Sequence, residues 1–123
     1  MTNPKDILIS ALVELGYEDA KTIVQQGTLS KKEPYPDTFF TYWNDNTEDK
    51  NFRDNKPDST DWIFYLACYS NNPFTLEEEF NKAIQKLKTK GFIISGKGAD
   101  ANSEKESHVG RDINLIYVEK NNY

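Results

Sequence analysis

The sequence contains few of the residues from which most catalytic and metal sites are built. Its 123 residues include one cysteine, Cys68, and one histidine, His108. A lone cysteine excludes a disulfide within the chain and a zinc site of the CxxC type. It is also typical of a protein kept in a reducing compartment. Sites that need several histidines or cysteines are therefore excluded.

Long hydrophobic runs are also missing. Hydrophobic residues make up 37% of the chain, and the mean hydropathy is −0.78. The apolar stretch after Pro4 is interrupted by Ser10 and Glu14, and no basic segment precedes it. The sequence therefore predicts neither a secretory signal peptide nor a membrane-spanning helix. We expect a soluble protein that is made in a cytoplasm and has no membrane contact.

Aromatic residues, in contrast, are plentiful. Seven Phe, seven Tyr and two Trp account for 13% of the chain, which indicates a small core built on aromatic rings rather than a disordered chain. The length predicts a single domain covering 1–123. The formal charge of −5 disfavours a protein that binds nucleic acid by neutralising phosphates.

Two helices are predicted from capping residues and from apolar residues at helical spacing. They cover 4–15, between a cap at Asn3 and the glycine Gly16, and about 76–90, between a capping box at Thr75 and Glu78 and the glycine Gly91.

Strands are predicted where β-branched and aromatic residues cluster. They fall at about 37–43, 60–70, 92–95 and 111–119, with a short one near 22–26. The intervening polar segments predict two mobile loops, an acidic one at about 44–60 and a Gly/Ser-rich one at 96–110.

The predicted strand 60–70 is apolar on both faces. One face carries Trp62, Phe64, Leu66 and Cys68, and the other carries Ile63, Tyr65, Ala67 and Tyr69. The fold class predicted is α+β, a mainly antiparallel four- to five-stranded sheet with two amphipathic helices packed on one face. Because two helices cannot cover both faces, we expect another copy of the chain to cover the second one.

The residues that could carry chemistry do not form a recognisable constellation. His108 lies in a segment predicted to be a mobile loop, so we expect it to be exposed and without a catalytic partner. Cys68 is expected to be a buried apolar residue. The acidic run from Asp45 to Asp54 lacks the alternating ligands and central glycine of an EF-hand. We predict no catalytic, cofactor-binding or metal-binding residues.

An aromatic platform for single-stranded nucleic acid is a further possibility that the sequence raises. Such platforms stack bases on exposed rings inside a basic groove, and here the segment between the aromatic strands is acidic. Packing in a core or an interface is therefore favoured for these rings, which are Phe39, Tyr42, Trp43, Trp62, Phe64 and Tyr65.

The order of segments along the chain is itself informative. It runs through the helix ending at Gly16, the entry Tyr35-Pro36-Asp37-Thr38-Phe39-Phe40, the acidic loop, the strand Asp61–Ser70, an Asn-Pro step, an amphipathic helix and the last strand Arg111–Glu119. This order resembles the tail terminator (tail completion) proteins of long-tailed bacteriophages, the family of the lambda minor tail protein U. In that family the long strand and the last strand are neighbours in the sheet.

The resemblance implies a structural protein of the virion, with no catalytic activity and no cofactor. Such proteins form a hexameric ring that caps the tail tube, ends its polymerisation and provides the surface for head–tail joining; the free subunit can be monomeric. The implied partners are other copies of the chain, the major tail tube protein and a head-completion or connector protein. DNA would pass through the channel without specific binding, because an acidic wall repels phosphates. The implied location is the tail or neck of the virion, after synthesis in the cytoplasm of a bacterial host that carries the phage or prophage.

Contacts with other subunits or tail proteins are expected in the acidic loop, the two-faced strand and the last strand, at Trp43, Asp45, Glu48, Asp49, Phe52, Trp62, Phe64, Tyr65 and Arg111. Three alternatives stay open at this point. The protein could be another ring of the neck, such as a head-closure or connector protein, or a non-viral cytosolic module that binds a peptide at a sheet edge. It could also be a small hydrolase or nuclease that uses Asp45, Glu48 or Asp49 with a metal ion.

Overall fold

The computed structural model describes residues 3–26, 35–53, 56–103 and 105–120, and it describes their side chains outside 51–58. Two helices and six strands follow one another along the chain as α1 (Pro4–Val13), β1 (Ile23–Gln25), β2 (Thr38–Arg53), β3 (Lys56–Ser70), α2 (Pro73–Thr89), β4 (Phe92–Ile94), β5 (Ala99–Ala101) and β6 (Val109–Lys120). The fold is α+β, as the sequence predicts.

The six strands form one mixed sheet in the order β1-β2-β3-β6-β4, and β5 also pairs with β6. All neighbours are antiparallel except β1 and β2, which run parallel. The prediction of four to five strands is therefore at least one strand short; the sheet is mostly antiparallel, as predicted, but the β1–β2 pair makes it mixed. The missing strand is β5, whose three residues are too few and too polar to produce a strand pattern.

The helix ends are fixed by the sequence signals at three of four positions. The Asn3 side chain accepts a hydrogen bond from the Lys5 amide at 2.9 Å, and Gly16 adopts a φ of +100° just after α1. Gly91 ends α2 with a φ of +97°. The exception is the start of α2, which lies outside the predicted range.

The capping box predicted at Thr75 is wrong. The cap of α2 is Asn72, whose side-chain oxygen accepts hydrogen bonds from the amides of Phe74 at 2.9 Å and Thr75 at 3.2 Å. Pro73 then occupies the first helical position, where its ring presets the backbone angle and no amide is needed. The Asn-Pro pair therefore begins the helix before the Thr-Glu pair.

Both helices lie on one face of the sheet, and the main core forms between them and that face. Fully buried side chains from β3, Phe64, Leu66 and Cys68, pack there against the fully buried Leu12 of α1 and Phe80 of α2. Side chains alternate along a strand, so the odd-numbered residues of β3 point to the other face, which carries no helix.

The loop predicted at 44–60 is wrong, since β2 and β3 continue through it as an antiparallel hairpin. The strands pair from Asn46–Ile63 out to Arg53–Lys56, after a register shift between Asn44 and Asn46. We call the segment Asn44–Asp61 the arm. Its inner strand also pairs with β6 as far as Ser59–Lys120, so backbone hydrogen bonds form the arm without an apolar alternation in its sequence.

The predicted loop 96–110 is also more ordered than a loop. β5 pairs with β6 through Ala99–Asp112 and Ala101–Gly110, and β6 begins at Val109. Gly98 allows the chain before β5 to pass close to β6 and α2, because a Cβ at that position would lie 2.5 Å from the carbonyl oxygen of Asp112 and 3.0 Å from the Phe80 ring. Across the described parts of the chain, neither helix is long and apolar enough to cross a membrane.

Candidate functional site

The sheet face opposite the helices, which we call the second face, is the least covered surface of the fold. β2 contributes Phe39, Thr41 and Trp43 to it, and β3 contributes alternate residues from Ile63 to Tyr69. Its two ends differ: side chains of the described chain cover one end, and the other end is exposed to solvent.

The covered end is a small aromatic cluster around His108. The Phe39 and Tyr69 rings stack with centroids 5.3 Å apart, and the Tyr35 ring meets Phe39 edge-on at 5.3 Å and His108 at 5.5 Å. The ammonium group of Lys105 lies 4.3 Å from the centre of the Tyr35 ring. This cluster is a second, smaller core on the face without helices.

His108 holds that cluster to the start of β2. Its Nε2 lies 2.8 Å from the carbonyl oxygen of Pro36, and its Nδ1 lies 2.9 Å from the hydroxyl of Ser107. The ring is buried, with 8% of its surface exposed. The prediction of an exposed histidine in a mobile loop is therefore wrong, because contacts with residues about seventy positions earlier bury it.

The exposed end of the second face carries an apolar stripe, which we define as Trp43, Ile63, Ile93, Ile116 and Val118. The three isoleucines lie side by side across β3, β6 and β4, because Ile116 pairs with both of the others. Trp43 remains 43% exposed, Ile93 56% and Val118 40%. The stripe runs from β2 across the sheet to β4.

Tyr65 separates the apolar stripe from the aromatic cluster. Its hydroxyl donates a hydrogen bond to Asp112 Oδ2 at 2.6 Å. Burial, followed by the contact with the Asp112 carboxylate, raises the pKa of Tyr65, so the phenol stays a donor at neutral pH. Its hydrogen bond therefore fixes the ring beside Trp43, its partner across the strands.

The arm carries most of its charge as carboxylates. Among its described side chains Asp45, Glu48, Asp49 and Asp61 oppose the single cation Lys50. The Lys50 ammonium lies 3.1 Å from Glu48; this contact holds the pKa of Glu48 below its ordinary value and raises the pKa of Lys50. Asp49 accepts a hydrogen bond from Thr60 at 2.9 Å. The described side chains of the arm therefore form an acidic surface.

A cleft of about 500 Å³ lies on the opposite side of the sheet, beside α2 and the turn that follows β4. We call it the basic cleft, because its charged lining residues are three cations, Lys88, Lys97 and Arg111, and one carboxylate, Glu77. The guanidinium group of Arg111 donates to the Lys97 carbonyl at 3.0 and 3.2 Å. Arg111 also pairs with Asp100 at 3.2 Å, so it holds the turn in place and leaves the two lysines to face solvent.

The residues predicted for partner contacts divide between these surfaces. Trp43, Asp45, Glu48 and Asp49 are exposed and lie on β2. Trp62 and Phe64 lie on the helix face, and Tyr65 lies at the boundary of the stripe. Arg111 lies in the basic cleft, and Phe52 is outside the described side chains.

Two of those residues belong to the chain's own interior. Phe64 is fully buried in the main core, so the prediction that it forms a partner contact is wrong for the folded chain. Trp62 packs against that core with its ring nearly parallel to Phe64 at 6.3 Å, and its buried indole Nε1 has no hydrogen-bond partner among the described residues. The apolar stripe instead includes Ile93, Ile116 and Val118. The signal for them in the sequence was the alternation of side chains along the short strand β4 and the last strand β6.

The titratable residues with possible chemistry are not assembled into a reactive group. Burial raises the pKa of the Cys68 thiol, which keeps it protonated and unreactive. Within the described parts of the chain, no three His, Cys, Asp or Glu side chains come together in a way that would hold a metal ion. What the described side chains do offer is an apolar stripe and two surfaces of opposite charge.

No known family model matches this sequence, and no curated protein sequence is similar to it.

Proposed function

We propose that this chain is a structural subunit that assembles with copies of itself into a ring, and that the ring caps the tail tube of a long-tailed bacteriophage. In this function the ring ends polymerisation of the tube and provides the surface on which a head-completion or connector protein joins. The apolar stripe on the second face is the observation that carries the proposal.

The stripe supports self-assembly because its exposure is unfavourable for an isolated subunit. Trp43 and Ile93 lie at its two ends and are 43% and 56% exposed. Burial of apolar surface contributes about 25 cal/mol per Å², and contiguous exposed apolar patches are typical of contact surfaces. Single exposed residues elsewhere, such as Phe74 at the start of α2, do not form such a patch.

The tail-cap assignment draws its support from the chain topology and from charge. The long strand β3 and the last strand β6 are paired over twelve residue pairs, which is the neighbour relationship that the resemblance to tail terminator proteins implies. The net charge of −5 supports a channel that lets DNA slide through, since an acidic wall repels phosphates. Another ring of the phage neck would use the same features.

A module that binds a peptide at a sheet edge is the second candidate, because β1 pairs only with Phe40–Tyr42 of β2. Among the described residues, the outer edge of β2 beyond Tyr42 has no neighbouring strand. That edge carries charged side chains and the register shift at Asn44 and Asn46, and both features disfavour the addition of a strand. The ring assignment is therefore favoured.

Electron microscopy of particles made without this chain tests the proposal. In the phage or prophage that encodes it, deletion of its gene should give tails that are overlong or lack heads, and expression of the chain in trans should restore tails of uniform length. Tails of normal length joined to heads in the deletion strain would contradict the tail-cap function.

A further inference from the structure

We infer that the subunits contact one another head to tail, with the acidic arm of one copy lying in the basic cleft of the next. The occupant of the basic cleft is thus a second copy of this chain. The inference rests on the proposed ring function and specifies which two surfaces meet in it. It is carried by the charges of the two surfaces and by their positions in the sheet.

The two surfaces lie toward opposite edges of the sheet. In the strand order β1-β2-β3-β6-β4, the arm begins on β2, where β1 ends. The basic cleft lies past β6, between α2 and the turn at Gly96 and Lys97 that links β4 to β5. A subunit placed beside another in the same orientation therefore brings one arm toward one cleft.

The charges of these surfaces are complementary. The described side chains of the arm sum to −3, since four carboxylates oppose Lys50. In the cleft, Lys88 and Lys97 are cations with no ion pair among the described residues. Asp45 is an exposed carboxylate of the arm, and no ion pair joins it to another described residue. Opposite potentials across a contact select the partner and its orientation.

A symmetric dimer is disfavoured by the same charges. A two-fold contact uses the same set of residues on both partners. Because the arm and the cleft lie toward opposite edges of the sheet, a two-fold contact at either edge would bring −3 against −3 or lysines against lysines. A head-to-tail contact uses both surfaces once in every subunit and produces a ring when the rotation closes. The apolar stripe fits this arrangement, because its exposed ends Trp43 and Ile93 lie on β2 and β4.

Thiol cross-linking of mixed variants tests the contact directly. Asn46→Cys in the arm and Gln85→Cys in the cleft, which leave Asp45 and Lys97 in place, are made as separate proteins of different tag length, mixed in equal amounts and treated with a short bis-maleimide. The native Cys68 is buried, so only the introduced thiols react. Random pairing gives the mixed dimer at twice the yield of either homodimer, whereas the head-to-tail contact predicts an excess of about fivefold or more. Lys21→Cys, at an exposed lysine outside the cleft, replaces Gln85→Cys in the control and should give random yields.

Charge reversal gives an independent measure. Asp45→Lys or Lys97→Glu alone should weaken self-association at low salt by about tenfold, and the two together in one chain should restore it to within about threefold. Random cross-linking yields in a sample that sedimentation shows to be associated would overturn the head-to-tail contact while leaving the ring function standing. A chain that forms no mixed dimer and no assembly at any concentration would also overturn it; the tail morphology of the deletion strain then decides the ring function separately.

Discussion

The imidazole Nε2 of His108 lies 2.8 Å from the carbonyl oxygen of Pro36, which is 72 residues earlier in the chain. A carbonyl oxygen only accepts, so the ring nitrogen carries the hydrogen in this contact. The hydrogen bond joins the segment before β6 to the residue that precedes β2. It closes the covered end of the second face. The apolar stripe is the part of this face that stays exposed.

Replacement of His108 by Ala should destabilise the fold by about 2–3 kcal/mol. The change removes a buried ring from contact with Phe39 and Tyr35 and leaves the Pro36 carbonyl without its donor. Chemical unfolding at neutral pH measures the effect. Ser107→Ala is the matched control, since it removes only the partly exposed hydroxyl on the other ring nitrogen and should change stability by less than about 1 kcal/mol. Equal small effects for both would show that the histidine is not structural.

Alanine substitutions at Gly98 and Gly96 distinguish the cost of a steric clash from the cost of backbone strain. Both have a positive φ, +84° and +80°, but only at Gly98 would a Cβ meet other atoms, the Asp112 carbonyl and the Phe80 ring. Gly96→Ala should cost about 1 kcal/mol of unfolding free energy from the left-handed backbone alone. Gly98→Ala should cost about 3 kcal/mol, because the turn must also move away from α2.

Thermal and chemical unfolding of the two glycine variants make that comparison. Equal losses would contradict the close approach of this turn to α2, and with it the walls of the basic cleft.

Glu14 should make stability depend on pH in the acid range. Its carboxylate lies 3.0 Å from Lys90 and 3.2 Å from Lys86, and these contacts, Lys90 first, hold its pKa below the ordinary 4.5. A carboxyl group whose pKa is lower in the folded than in the unfolded state stabilises the fold above the unfolded pKa. That stabilisation is lost as the pH falls through the folded pKa.

The variant Glu14→Gln should therefore be slightly less stable than the parent at pH 7, and the difference should shrink toward zero below about pH 4.5. Urea unfolding at a series of pH values measures it. The control is Glu18→Gln, whose ion pair with Lys21 is exposed and lies within one turn, and which should have little effect. A difference for Glu14 that grows as the pH falls would contradict the assignment of the contact.

The sequence predicts the main core well because its signals are local. Caps at Asn3 and Gly91 and the alternation of β3 from Trp62 to Tyr69 each act within a few residues, and the two helices and the central strand follow from them. The alternation of β3 also predicts apolar side chains on the sheet face that carries no helix. The structure keeps that apolar surface exposed at one end only, because the aromatic cluster closes the other end.

The arm and His108 could not be predicted from local signals, for two physical reasons. The β2 side of the arm is polar and largely exposed over residues 44–50, so its sequence has no in/out alternation, and backbone hydrogen bonds, which form with any side chain, hold it to β3. The burial of His108 depends on Tyr35 and Phe39, which are distant in sequence. A single histidine among polar residues carries no sign of such a contact.

The central claim is that copies of the chain cover the apolar stripe, and sedimentation velocity over a range of protein concentrations tests it most directly. The stripe variants Trp43→Asp and Ile93→Asp should each weaken self-association by about tenfold or more, because 43% and 56% of these side chains are exposed in the single subunit. Chemical unfolding of each variant confirms that it is folded at the temperature of the measurement. The control Phe74→Asp, which removes a more exposed apolar side chain outside the stripe, should associate like the parent. Equal association of the parent and both stripe variants would contradict the account.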